Sequence, residues 1–185
     1  KEYAPKSLTL DNGTLWIKAK GSTPANGRLL LTTAEDKNYE TQVEINTGNG
    51  NTAGLILFYN EKAYAGVVSD GKKFIVYQNT NKQLELPNEL GKRFIAKIHN
   101  QGNNLRIMVS KDSKEWITLA EKVDVSQMHH NNYHGFYALR IGLLSAGKGA
   151  AGFKQFRYKN AIPREKDMSA YLMVFHKDET HGLYM

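Results

Sequence analysis

The chain has 185 residues, no cysteine, and a formal net charge of +7 from 25 Lys and Arg against 18 Asp and Glu. Without Cys there is no disulfide framework, thiolate metal site or Cys nucleophile, and no apolar run approaches the roughly 18 residues that span a bilayer. The basic residues are scattered instead of gathered into a run, which predicts a soluble basic surface and no nucleic-acid partner.

The length suits one large β-sandwich better than two ordinary domains. Ten Tyr, seven Phe and two Trp supply bulky rings for pleated, half-buried surfaces. The opening Lys1-Glu2-Tyr3 reads as the start of a processed or trimmed chain.

Taken in chain order, apolar residues recur with period two in short segments separated by Gly, Asn, Asp and Ser. Strands are predicted over residues 14–19, 28–32, 39–46, 53–60, 64–69, 74–78, 93–99, 104–110, 116–120, 137–144 and 151–158. The clusters Asp11-Asn12-Gly13, Ser69-Asp70-Gly71 and Gln101-Gly102-Asn103 accept positive φ cheaply and read as hairpin turns. Phe94, Ala96 and Ile98 alternate with Arg93, Lys97 and His99, as Leu105, Ile107 and Val109 do with Arg106 and Ser110, so one face is buried and the other wet. About eleven strands in one domain imply an all-β fold of two antiparallel sheets packed face to face.

Residues 125–134 break this rhythm, with His129, His130, Asn131 and Asn132 beside Tyr133. They form the longest irregular loop of unusual composition, the kind of segment on which binding residues sit. After Tyr158 the chain changes character. Residues 159–169 read as a polar linker, and 170–185 as a hairpin turning at Lys177-Asp178-Glu179-Thr180.

Four stretches carry a family resemblance. AGLILFYNEKAYAGVVSDG (53–71), the preceding KNYETQVEI (37–45), the turn SKDSKEW (110–116) and the ending GLLSAGKGAAGFKQFRY (142–158) resemble the concanavalin A-like domain attached to β-xylosidases and arabinosidases of glycoside hydrolase family 43. The resemblance implies a jelly-roll sandwich of the concanavalin A-like lectin/glucanase type over residues 1–158. It also implies an accessory role beside a catalytic domain, in a secreted, periplasmic or cell-surface enzyme acting on plant-type polysaccharide such as xylan or arabinan. The tail AYLMVFHKDETHGLYM (170–185) resembles the opening hairpin of a blade in the five-bladed catalytic β-propeller of such hydrolases. Sandwich before propeller reverses the usual xylosidase order, so no pocket residue is carried over from the family. Asp178 and Glu179 read as solvated turn residues.

A sugar-binding surface needs aromatic rings to stack on pyranose faces, with amides or Arg to bond hydroxyls. The candidates are Tyr59, Tyr64, Tyr77, Trp116, His130, Tyr133, Tyr137 and Arg140, with Asn60, Gln78, Asn79 and Asn131 as polar partners, against the competing expectation that such rings fill the core. His129, His130 and His134 have no carboxylate or Cys at a familiar zinc-ligand spacing. No cofactor is expected beyond a structural calcium of the kind that lectin-like sandwiches use. The expected partners are a polysaccharide or oligosaccharide and the catalytic propeller. The carboxylates Glu40, Glu44, Glu61, Asp70, Glu85, Glu89, Asp112 and Glu115 are spread over hairpins and solvent faces, where sequence locates no catalytic pair. SAGKGAAG (145–152) lacks the phosphate-loop ending and leads into a strand, so it reads as a tight inter-strand connection. Two other roles stay open: a sandwich that is itself a glycosidase, and a structural or protein-binding module that touches no sugar.

Overall fold

The structure is a computed structural model and describes residues 5–135 and 137–160, with the backbone of Tyr171 and Leu172. The strands are β1 (Leu8–Asp11), β2 (Thr14–Lys18), β3 (Arg28–Thr33), β4 (Asn38–Asn46), β5 (Asn51–Asn60), β6 (Ala63–Ser69), β7 (Lys73–Gln78), β8 (Asn81–Pro87), β9 (Arg93–Gln101), β10 (Asn104–Ser110), β11 (Ile117–Asp124), β12 (Arg140–Gly147), β13 (Ala150–Asn160) and β14 (Tyr171–Leu172). One sheet runs β1-β2-β13-β4-β9-β10-β11 and the other β3-β12-β5-β6-β7-β8, while β14 joins the first by pairing with β13. Every pairing is antiparallel. The two-sheet antiparallel sandwich expected from the alternation is the fold observed.

Turn chemistry sets the hairpin registers. Asn12 and Gly13, Asn79 and Thr80, and Gly102 and Asn103 all have positive φ, the paired left-handed geometry whose twist matches that of the flanking strands. The Asp70 carboxylate accepts from the main-chain N–H groups of Lys72 and Lys73 at 2.9 and 3.0 Å, which closes the β6–β7 turn.

The core lies between the sheets. Phe94, Ala96 and Ile98 from β9 and Leu105, Ile107 and Val109 from β10 meet Leu55, Leu57, Val67, Phe74 and Val76 from the opposite sheet. Phe74 and Phe94 touch edge to face, with centroids 5.1 Å apart and an interplanar angle of 84°, the arrangement the ring quadrupoles favour. Outside the eight-stranded sheet, Lys97 pairs with Glu40 at 3.3 Å and the surface is polar there.

The six-stranded sheet departs from the expectation of one wet face. Its outward side chains Ile56, Tyr64, Val68, Ile75, Tyr77 and Leu144 form a second buried cluster, packed with Ala25, Leu29 and Phe58. Apolar side chains on both faces are the pattern of a sheet covered on both sides.

The connection between β12 and β13 carries the chain from the middle of one sheet to the middle of the other. Gly147 has φ +121°, and a Cβ there would lie 2.6 Å from the Gly50 carbonyl oxygen, so only glycine fits. Asn51, itself buried, holds the crossover by accepting from the Gly149 N–H at 2.7 Å and donating to the Ala150 carbonyl at 3.0 Å. The 145–152 segment is thus the tight connection expected. Along β13, Gln155 has φ +51° where the register with β4 slips between Lys154 and Arg157. The resulting bulge lets Phe153 and Phe156 both face the core.

Element boundaries differ in instructive ways. The strands β1 and β8 were not expected. The strand expected over 137–144 begins only at Arg140, and the one expected over 116–120 begins at Ile117 and runs to Asp124. β13 runs through Asn160, two residues into the segment assigned as a connector, and residues 161–169 lie outside the described residues. The hairpin assigned to 170–185 lies outside the described residues except for Tyr171 and Leu172, which pair with Tyr158 and Arg157. Among the described residues no helix is long and apolar enough to cross a membrane.

Candidate functional site

The irregular segment expected at 125–134 contains one helical turn, α1 (His130–Tyr133), too short to give a periodic signal. Buried Val125 and Met128 pin its start, and the half-buried Tyr133 packs on the main core at its end. At His134 and Gly135 the backbone takes φ of 55° and 75°, which turns the chain back toward the end of β5. There the Tyr59 hydroxyl donates to the carbonyls of His134, at 3.2 Å, and Gly135, and the Asn60 amide donates to the Tyr133 carbonyl at 3.2 Å. Adjacent residues of β5 thus hold the loop from inside.

This clamp presents Tyr137. Its ring meets Tyr59 edge-on, with centroids 5.8 Å apart and an interplanar angle of 76°, and it remains 56% exposed. The Arg140 guanidinium lies 5.6 Å from the Tyr137 centroid and 6.0 Å from that of Phe58. One Nη of Arg140 donates to the Tyr59 carbonyl at 3.0 Å, whereas its Nε is buried without an acceptor. An unsatisfied buried donor costs about 1–3 kcal/mol, and a cation over a ring returns about 0.5–2 kcal/mol. The two effects oppose each other, and the Nε hydrogen of Arg140 is left without an acceptor.

The sequence candidates therefore divide. Tyr59, Asn60, Tyr133, Tyr137 and Arg140 come together at one end of the sandwich, where Tyr59 and Tyr133 lie 6.4 Å apart. Tyr59 itself is fully buried, so its part is support and not stacking. His130 and Asn131 are exposed on α1, and the His129 and His130 rings lie 6.1 Å apart.

Tyr64 and Tyr77 stand on the outer face of the six-stranded sheet. Their centroids are 5.4 Å apart and both rings are largely buried. Burial first, then the neighbouring Tyr77, raises the Tyr64 hydroxyl above the usual phenol range, while burial followed by the Glu85 carboxylate does the same to Tyr77. Trp116 lies apart, with Lys97 4.0 Å over its ring and its indole N–H donating to the Ser113 carbonyl at 3.2 Å. Gln78 donates to the Asp124 carbonyl at 3.0 Å, and Asn79 forms the β7–β8 turn.

Phe58 and the carbonyls of His134 and Gly135 were not expected at the site. Phe58 carries a usable signal, because alternation from the inward Tyr59 places it outward, where it pairs in register with Arg140. The carbonyls carry none, since every residue has one.

Among the described residues, the carboxylates of Asp70, Glu85, Asp112 and Asp124 are all shifted down. Lys73 lowers Glu85 chiefly by hydrogen bonding. The main-chain N–H groups of Lys114 and Ser126 do so for Asp112 and Asp124. At Asp70, burial pushes upward but is outweighed by the Lys72 and Lys73 amides. A general acid needs the opposite shift. No group of three or more His, Asp or Glu side chains among the described residues is placed to hold a metal ion.

Comparison with solved structures finds the same sandwich inside larger enzymes. The GH43 BlXynB protein from Bacillus licheniformis matches with a TM-score of 0.72 and 17% identity, over 86% of this chain and 35% of that one. The xylan β-1,4-xylosidase from Bacillus halodurans C-125 matches with a TM-score of 0.67 and 16% identity, over 84% of this chain and 35% of that one. The chain thus spans about a third of the length of these enzymes. The carbohydrate-binding module CBM66 from Bacillus subtilis matches with a TM-score of 0.50 and 19% identity, over 82% of this chain and 99% of that one. No curated protein sequence matches the chain. Identities this low speak for the fold alone, but residues 4–159, which hold both sheets and the Tyr137 site, match a family as a unit: the chain belongs to the β-xylosidase C-terminal concanavalin A-like domains.

Proposed function

We propose that this sandwich serves a secreted, periplasmic or cell-surface glycoside hydrolase acting on plant-type polysaccharide such as xylan or arabinan, contacting the glycan at the Tyr137 end while bracing a propeller-type catalytic domain. The observation that carries the glycan contact is the Tyr137 ring, more than half exposed yet held by Tyr59 and Arg140. A fixed aromatic face loses little entropy when a pyranose ring stacks on it. Exposed His130 and Asn131 stand on the preceding helical turn and supply polar groups for hydroxyls. The likeness to a carbohydrate-binding module over nearly that module's whole length supports the same reading.

The test is calorimetric titration of the 185-residue chain with xylo- and arabino-oligosaccharides, beside Tyr137→Ala. Stacking worth about 0.5–1.5 kcal/mol makes the expected loss of affinity up to about tenfold, in a chain that remains folded. Silence of the wild-type chain across the panel rejects glycan contact. The bracing role then stands alone, supported by the matching sandwich that lies inside larger GH43 enzymes.

A further inference from the structure

We propose that Arg140 makes this end of the sandwich a receptor for an acidic saccharide, one bearing a uronic acid carboxylate, in preference to its neutral counterpart. The proposal deepens the glycan-contact reading and rests on it.

Arg140 opens β12 and lies in a cross-strand row with Thr33, Phe58 and Tyr64. None of the ion pairs among the described residues includes it. Its charge is met instead by the Phe58 and Tyr137 rings, which accept no hydrogen bond of the strength a carboxylate does. One Nη is tied to the Tyr59 carbonyl, and that bond fixes the plane of the fork. The Nε hydrogen has no acceptor at all. A guanidinium oriented by one bond, with its Nε donor unfilled, is prepared for capture of a carboxylate.

Access runs beside Tyr137. Arg140 keeps intermediate exposure next to the half-exposed Tyr137 ring, so a carboxylate can approach the edge of the guanidinium while the ring stays in place. A sugar stacked on that ring would bring a carboxylate substituent over Arg140, and the closed site would then screen the pair from salt less than open water does.

The experiment compares three ligands on the full chain: a linear xylo-oligosaccharide, the same oligosaccharide carrying one glucuronic acid branch, and that branched form with its carboxyl reduced to the alcohol. The acidic form is expected to bind about tenfold tighter than the other two, with the advantage shrinking in about 0.5 M salt. Arg140→Gln should erase the difference between the acidic and reduced forms, whatever it does to their common affinity. Arg140→Lys should recover only a small part of it, because an ammonium cannot form the fork. Equal affinity for the acidic and reduced forms overturns the proposal without touching neutral glycan binding, and needs no variant that must fold. An advantage that survives in a folded Arg140→Gln chain also overturns it. If no ligand binds, the glycan-contact reading fails and takes this inference with it.

Discussion

The Tyr59 hydroxyl donates to the main-chain carbonyls of His134 and Gly135, 75 and 76 residues further along the chain. Tyr59 is a core residue by burial and a loop anchor by hydrogen bonding, so the last inward position of β5 sets the shape of a surface segment.

Tyr59→Phe keeps the ring and deletes the donor. Both acceptors are on exposed residues that water can reach, so the expected cost is modest, about 1 kcal/mol. Urea unfolding should show that loss. Hydrogen exchange should rise at residues 130–135 and stay unchanged in β9 and β10; a uniform rise would mean that the loop is held by something else.

Gly66 gives a harsher test. It lies in β6 with φ +141°, and a Cβ would sit 2.5 Å from the Leu55 carbonyl oxygen and 2.6 Å from the Ile56 Cα. Neither backbone atom can move without breaking the β5–β6 ladder. Gly66→Ala is expected to cost on the order of 3 kcal/mol or more, read as a lower urea midpoint or loss of soluble protein. A midpoint matching the wild type would mean that this backbone geometry is not the native one.

Acid sensitivity follows from the turn aspartates. Asp70, Asp112 and Asp124 accept main-chain N–H groups in the folded chain and are shifted down there. A depressed folded-state value favours folding when the group is ionised. That contribution is complete above the ordinary aspartate value of about 3.9 and disappears as pH falls through the lower folded-state values. Stability measured by urea unfolding should therefore fall below about pH 4, and Asp124→Asn, which keeps an acceptor oxygen for Ser126, should flatten the fall. An identical acid limb in the variant removes Asp124 from the account.

Inside-outside alternation made most of this fold legible. Phe94, Ala96 and Ile98 repeat at spacing two with charged neighbours, and the structure buries them as that pattern requires. The edge strand β8 was missed because its exposed residues outnumber Leu84 and Leu86 and it ends in Pro87, a residue that sequence reasoning uses to demote strands. The twofold apolar character of the six-stranded sheet is visible in AGLILFY and AYAGVV only once β5 and β6 are known to lie side by side. At the site, Tyr137 and Arg140 were legible as residue types. Their shared position was not, because it depends on pairing Arg140 with Phe58 across more than eighty positions of sequence.

The placement of β12 and β13 bears on how the molecule is made. β12 is the only bridge from β3 to β5, and β13 the only bridge from β2 to β4, among the described strands. A nascent chain that stops before residue 140 holds β1, β2 and β3 as unattached ribbons with exposed amide edges, so neither layer can close until nearly the whole sandwich has left the ribosome. Edge-to-edge association is therefore a hazard of this sandwich in the interval before its last two long strands arrive.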